Sequence, residues 1–412
     1  MQLYIDPGTG SMLFTILIGI LGAAFYVIHM FLVKVRFILS GGKKVDSDLQ
    51  KIPFVIFSDH KRYWNVFEPI CRRMNELGYD VLYLTASADD PVFECNYEHI
   101  KAEFAGENNK PYARLNFINA SICLSTTPGL DVYQWKRSKN VDCYIHILHA
   151  ANDVTGYRMF GLDYYDAVML SGEYQVRDIR NLEKLRELPP KDLAIVGIPY
   201  MDEMVKRLNN VEKIENKERT VLLASSWGAS SVLNRYGERI IDALLSTGYK
   251  IIVRPHPQSF TSEKDMIERL MKKYPESDRF EWNMDNDNFE VLRKSDIMIS
   301  DFSGVIFDFT LVYDKPVIYA DTSFDDSPYD AWWLDTPFWS FVALPKLGEQ
   351  LTDDNIHNIK ELIDNCIEDA RYEQGRKEVR NETWMYQGEG TKRAVDFILK
   401  KYNEVTKEGD LS

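Results

Sequence analysis

Short apolar runs recur along most of the chain, each closing on small or polar residues and each followed by a stretch with helical spacing. "PFVIFSD", from Pro53, predicts a strand, "RYWNVFEPICRRMNELGY" a helix ending near Gly78, and "DVLYLTAS" the next strand. "VDCYIHILHA", "YDAVMLSG" and "DLAIVGI" continue the rhythm. A polar, charge-rich segment from Arg207 to Arg219 interrupts it, and it restarts with "TVLLASSW", "YKIIVRPHP", "SDIMISD" and "KPVIYAD". Strands that are apolar on both faces and alternate with helices predict an α/β chain of two parallel, doubly wound, Rossmann-type sandwiches joined at that segment. Ligands of such sheets sit beyond the carboxyl ends of the strands, so the residues closing each run are where chemistry is expected. The terminal "EGDLS" reads as a frayed tail.

The pattern differs at the amino end. Ser11 to Val33 carries no charge and, as a helix, is long enough to cross a hydrocarbon core of about 30 Å. Lys34, Arg36, Lys43 and Lys44 follow it, while the leader "MQLYIDPGTG" has no basic residue. That asymmetry argues against a cleaved signal peptide. It predicts a single-pass anchor in the cell membrane with the remaining chain on the cytoplasmic side. Residues 1–45 are thus assigned to the anchor and its basic flank, 46–208 to a first Rossmann-like, acceptor-side domain, and 209–412 to a second, donor-side domain with a closing C-terminal helix.

Charge and cysteines narrow the function. With 49 basic against 63 acidic residues the formal net charge is -14, which excludes a protein that wraps nucleic acid by neutralising its phosphates. Any phosphate it binds has to be gripped locally. The five cysteines form no CxxC pair, so neither a zinc ribbon nor a disulfide framework is expected. No metal site or cofactor is predicted: His146 and His149, three apart on one strand, point to opposite faces. The chain has no GxSxG, HExxH or GxxxxGK[ST] pattern.

The chemistry concentrates at three strand ends. "IMIS" breaks into Asp301, Phe302, Ser303 and Gly304, after which Val305, Phe309 and Val312 mark a helix packed on the sheet. Ser303 is placed to cap that helix, and its hydroxyl, Gly304 and the free amides of the first turn form a phosphate cradle. A helix dipole contributes only about 0.3 to 1 kcal/mol, so the cradle needs a partner. "VRPHPQS" offers one: Arg254 and His256 can donate to phosphate oxygens, the arginine in its forked manner. Asp301 is assigned to the same substrate site. Asp308 has two readings, bonding a neighbouring backbone group or holding a substrate hydroxyl. In the first half His149 closes a strand where it can take a proton from an attacking hydroxyl, while His146 reads as a core residue. The aromatic stretch Asp330 to Phe341 reads either as core or as the wall of an acceptor groove.

"RPHP" followed by "SDIMISDFSGVIFDFTLVYDKPVIYAD" resembles the most diagnostic block of the CDP-glycerol glycerophosphotransferases, the teichoic-acid polymerase and primase family. "LHA", "GIPYMD", "VLLASSW" and "YQGEGTKRAVDFIL" are similar to its lesser motifs, in the same order, so that the resemblance runs from Cys143 to Leu399. It implies a GT-B-like fold and transfer of glycerol phosphate from CDP-glycerol, or a related CDP-alditol, to a hydroxyl of a lipid-linked or glycan acceptor. It further implies His149 as base, His256 as a diphosphate contact and Ser303 as a phosphate-binding hydroxyl. Two positions depart from the family pattern. Ala150 and Ala151 stand where it has Gly-Thr-Pro after the histidine, and Gly304 where it has a second serine. A nucleotide-sugar-dependent GT-B glycosyltransferase and a degenerate, membrane-tethered scaffold are the alternative readings.

Overall fold

The computed structural model describes residues 51–409 except 152, 215–217, 286 and 321–323. In the first half, β1 (Ile52–Ser58), β2 (Val81–Thr85), β3 (Ile100–Phe104), β4 (Ala120–Ser125), β5 (Val141–Ile147), β6 (Ala167–Leu170) and β7 (Asp192–Ile195) form one sheet in the order β3-β2-β1-β4-β5-β6-β7. In the second, β8 (Thr220–Ala224), β9 (Lys250–Arg254), β10 (Phe280–Trp282), β11 (Ile297–Ser300), β12 (Val317–Ala320) and β13 (Gly348–Leu351) stand in the order β10-β9-β8-β11-β12-β13. Neighbouring strands in both sheets are parallel. The architecture is the expected α/β, GT-B-like one. Central strands such as β2, β4, β8 and β11 are buried at every position, which is why they read as unbroken apolar runs.

Each sheet reverses its winding between its first and fourth strands, β1 and β4 in one half and β8 and β11 in the other. At such a switch point the loops leaving two adjacent strands part in opposite directions and leave a crevice. The residues that follow these strands, Asp59, Thr126, Ser225 and Asp301 among them, are therefore the ones the fold brings toward a ligand.

Buried carboxylates join the halves. Asp153 of the first half accepts from the Ser340 amide at 3.0 Å and from that of Trp339. Asp330 of the second accepts from the amides of Phe160 at 2.7 Å and Gly161 at 3.2 Å, and pairs with the buried guanidinium of Arg186, which also meets Asp163 at 2.6 Å. The closing helix Gly390–Gly409 follows the second half in sequence but packs on the first, against the helix Trp64–Glu76 and strands β4 and β5, with Tyr402 4.6 Å from Phe54 between ring centres. Asp202 fixes that return. Its two oxygens accept from Trp384 Nε1 at 3.0 Å and from the amides of Gly388 and Gly390, both at 2.8 Å. The aromatic stretch divides: Trp339 is buried and stacks on Tyr174 at 4.5 Å, while Trp332 and Trp333 are exposed.

Among the described residues no helix is long and apolar enough to cross a membrane. The span predicted over 11–33 and its basic flank lie outside them.

Asp202→Ala removes the common acceptor of three donors, two of them buried. It is expected to destabilise the protein by about 3 kcal/mol, read as a lower midpoint of urea unfolding with little change in slope.

Candidate functional site

The carboxyl ends of the two sheets open on one cavity of about 480 Å³, within the roughly 300 to 1,000 Å³ usual for small-molecule sites. His149 lines it from the first half, and Arg254, His256, Ser303, Gly304 and Asp308 from the second. Six of the seven residues singled out by sequence thus share a wall. Asp301 does not.

Asp301 lies beneath the cavity, 1% exposed. It straddles the switch point of the second sheet and accepts from the amides of Ser226 at 3.0 Å, Val232 at 2.8 Å, Phe302 at 2.8 Å and Ser303 at 3.1 Å. Burial pushes its carboxyl up and these amides pull it back. Its oxygens are occupied, so it shapes the site without reaching a ligand. Ser303 is not the helix cap the sequence suggested. The helix begins at Val305 with Gly304 in the capping position and no side-chain cap, because Asp301 already holds the turn. Among the described residues nothing meets the Ser303 hydroxyl or the amides of Gly304 and Val305, which leaves three donors at the cavity wall.

Beyond Phe307 the helix widens into a π-helical turn, Asp308–Val312. Asp308 opens it and faces the cavity, where its carboxylate accepts from Tyr200 Oη at 2.8 Å and, more distantly, from the Asn288 amide at 3.5 Å. Burial raises its pKa to about 6 against the pull of these two bonds.

The two histidines are held in different ways. The Gln258 amide donates to His256 Nδ1 at 3.0 Å, so this imidazole is neutral and carries its proton on Nε2, a donor. Burial, and after it the charge of Arg62, bring its pKa down to about 4. His149 Nδ1 lies 3.1 Å from the Thr126 hydroxyl, and its ring packs 5.0 Å from that of Tyr63. Burial and again Arg62 lower it to about 4, leaving it an unprotonated acceptor near neutrality. His146 is fully buried in β5 against Tyr157. Arg254 reaches the cavity wall, but its terminal nitrogens already bond the Asn283 side chain and the Asp285 carbonyl, the latter at 2.8 Å. It therefore anchors that turn and retains only its remaining N–H groups for a ligand.

Residues the sequence did not single out complete the wall: Arg62 and Tyr63 from the turn after β1, Tyr200 from the "GIPYMD" motif, Asn288, and Arg207 paired with Asp287. The strand-end position of "SDHKRY" was the available signal for the first two.

The two departures from the family pattern meet in space. A Cβ built on Gly304 would lie 3.2 Å from Cβ of Ala150 across the cavity. A methyl on one side and none on the other fills the gap that a glycine and a serine fill in the pattern. Gly304→Ser alone is expected to cost about 1 kcal/mol through crowding, and Ala150→Gly added to it to recover most of that loss; a double-mutant cycle on unfolding stability reads the coupling.

A search of curated proteins finds no match. Among solved structures, the chain is similar to UDP-GlcNAc 2-epimerase from Methanocaldococcus jannaschii, determined with UDP-GlcNAc and UDP, at 12% identity and a TM-score of 0.55, covering 84% of this chain and 99% of that one. The Neisseria meningitidis UDP-GlcNAc 2-epimerase bound to UDP-GlcNAc gives 13% identity and a TM-score of 0.53, with coverage of 84% and 99%. At such identity these likenesses concern the fold. The family model described as CDP-Glycerol:Poly(glycerophosphate) glycerophosphotransferase matches residues 164–400, which takes in Arg254, His256, the β11 break and the first half of the closing helix. The chain therefore belongs to the CDP-glycerol:poly(glycerophosphate) glycerophosphotransferase family and is a transferase.

Proposed function

We propose that the protein moves glycerol phosphate, or a related polyol phosphate, from CDP-glycerol to a hydroxyl of a cell-envelope glycan or lipid-linked acceptor and releases CMP. The observation that carries this reading is the shared cavity. It sets an unprotonated imidazole on one half opposite a set of uncommitted phosphate donors on the other. The Ser303 hydroxyl, the amides of Gly304 and Val305 and Nε2–H of His256 hold the diphosphate. The acceptor oxygen bonds to the glycerol-bearing phosphorus and its proton passes to His149. The bond from that phosphorus to the bridging oxygen breaks, and CMP leaves with the electron pair. Donors already fixed around the diphosphate need no rearrangement as charge develops, and holding the acceptor in line removes most of the entropy barrier. The long bond from Asn288 leaves Asp308 able to accept a donor hydroxyl. A membrane anchor over 11–33 suits a lipid-linked acceptor by keeping the enzyme on the cytoplasmic face beside it.

The test is CMP release by the full-length protein, supplied in turn with CDP-glycerol, CDP-ribitol and UDP-GlcNAc and a lipid-linked acceptor. Acceptor-dependent release from a CDP-alditol is expected, and turnover of the nucleotide sugar alone would make the protein a glycosyltransferase instead. His149→Ala is expected to lower the rate about a hundredfold to ten-thousandfold, the usual worth of a placed base. A variant as fast as the parent removes His149 from the scheme.

The pH dependence follows from the two cavity groups. Asp308, raised to about 6, must be ionised to accept a hydroxyl, and His149, lowered to about 4, must be unprotonated. As pH falls, kcat/KM should therefore decline through about 6 and again near 4. Asp308→Asn should abolish the upper step and leave the lower one in a pH-rate profile.

A further inference from the structure

We propose that Arg62 is a catalytic residue that meets the transferred phosphoryl group with its guanidinium, reaching it from the half of the molecule opposite the Ser303 cradle. The inference rests on the phosphotransfer reading above. It concerns a residue that lies outside the stretch matched by the family model.

Arg62 stands in the turn Lys61–Tyr63, directly beyond β1 at the switch point of the first sheet. The turn is pinned: the Arg62 amide donates to His60 Nδ1 at 3.1 Å and the Lys61 amide to Ser87 Oγ at 3.0 Å. The two basic side chains then diverge. Lys61 pairs with Asp89, whereas Arg62 lines the cavity, its guanidinium 5.3 Å from the centre of the Tyr63 ring, which itself packs on His149.

Three arginines line the cavity, and the other two are engaged. Arg207 pairs with Asp287 and Arg254 bonds Asn283 and Asp285. Arg62 is exposed and, among the described residues, has no carboxylate within 4.0 Å. Its charge also acts on both histidines, lowering His149 on its own half and His256 on the other. A cation that reaches both imidazoles, on a residue lining the same cavity, faces the space they share. That is where the phosphorus must pass if His149 serves the attacking oxygen and His256 the diphosphate.

In phosphoryl transfer charge is spread over the equatorial oxygens of the moving group as its bond to the leaving group breaks, and a forked cation aimed there stabilises that transition state more than the bound donor. The expected signature is a loss in kcat with donor affinity largely kept. Around His149 the charged and titratable neighbours are Arg62, Tyr63, Tyr157 and His146, with the buried carboxyl of Asp59 acting on Arg62 and both tyrosines; around His256 they are Arg62, Glu263 and Arg254. Replacing Arg62 by a neutral residue takes the one shared cation from both sets.

The experiment compares full-length wild type with Arg62→Gln, Arg62→Ala and Arg62→Lys. CMP release gives kcat and KM, and titration calorimetry gives the affinity for CDP. Arg62→Gln and Arg62→Ala should lose about a hundredfold to a thousandfold in kcat, the scale of removing one transition-state donor. Their affinity for CDP should stay within about threefold, which also shows that they fold. Arg62→Lys, which keeps charge without the fork, should fall between. The acid step assigned to His149 should move to higher pH in Arg62→Gln and stay in place in Arg62→Lys. A kcat within about threefold of wild type in Arg62→Ala, or a loss confined to KM, overturns the proposal and leaves the phosphotransfer reading standing. A wild-type protein that releases no CMP from any CDP-alditol overturns both.

Discussion

Four buried carboxylates, each accepting from backbone amides, hold the loops of the fold, one of them directly beneath the cavity wall. Asp301 gathers four amides from two loops at the second switch point; Asp202, Asp153 and Asp330 tie the halves to one another. A carboxylate taken out of water is costly, and only a full set of donors offsets that cost. These sites supply the set mostly from main chain, whose N–H groups cannot move without moving the fold. The wall carrying Ser303 and Gly304 is therefore rigid before any ligand arrives, which is the condition for donors to be worth more against a transition state than water is.

This arrangement also explains what could be read in advance. Strands buried on both faces announce themselves as apolar runs, so β1, β2, β8, β9 and β11 and the positions of His149, His256 and the β11 break were legible. Two prolines marked the exit at His256, and the spacing of Val305 and Phe309 marked the following helix, though not the π-helical turn that directs Asp308 inward. Acceptors of amide hydrogen bonds leave no such trace. Asp301 finds Ser226 75 positions away, and Asp202 finds Gly390 188 away. A serine before a helix suggested a cap because serine is the usual one. The structure uses the aspartate two residues earlier and frees the hydroxyl. The bonds Arg254 makes within the protein left no trace for the same reason: the Asn283 and Asp285 groups come together only in the fold. Arg62 lies outside the stretch matched by the family model, and the shared cavity brings it to the two histidines.

The charge acting on the two cavity imidazoles runs against the balance of the whole chain. The protein is acidic, yet the field at both imidazoles is positive and Arg62 is its common source. For His256 this suits a neutral donor already fixed by the Gln258 amide. For His149 it presents a difficulty, since a base with a pKa of about 4 has little drive to take a proton at neutral pH. On the phosphotransfer reading the donor itself removes the difficulty. One negative charge about 6 Å from the imidazole, at an effective dielectric of about 20, favours its protonated form by about 3 kcal/mol. That is enough to bring it from about 4 to about 6. Burial is the larger cause of the low value and Arg62 the second; the diphosphate neutralises the second, so on this reading donor binding favours activation of the acceptor without any movement of the chain.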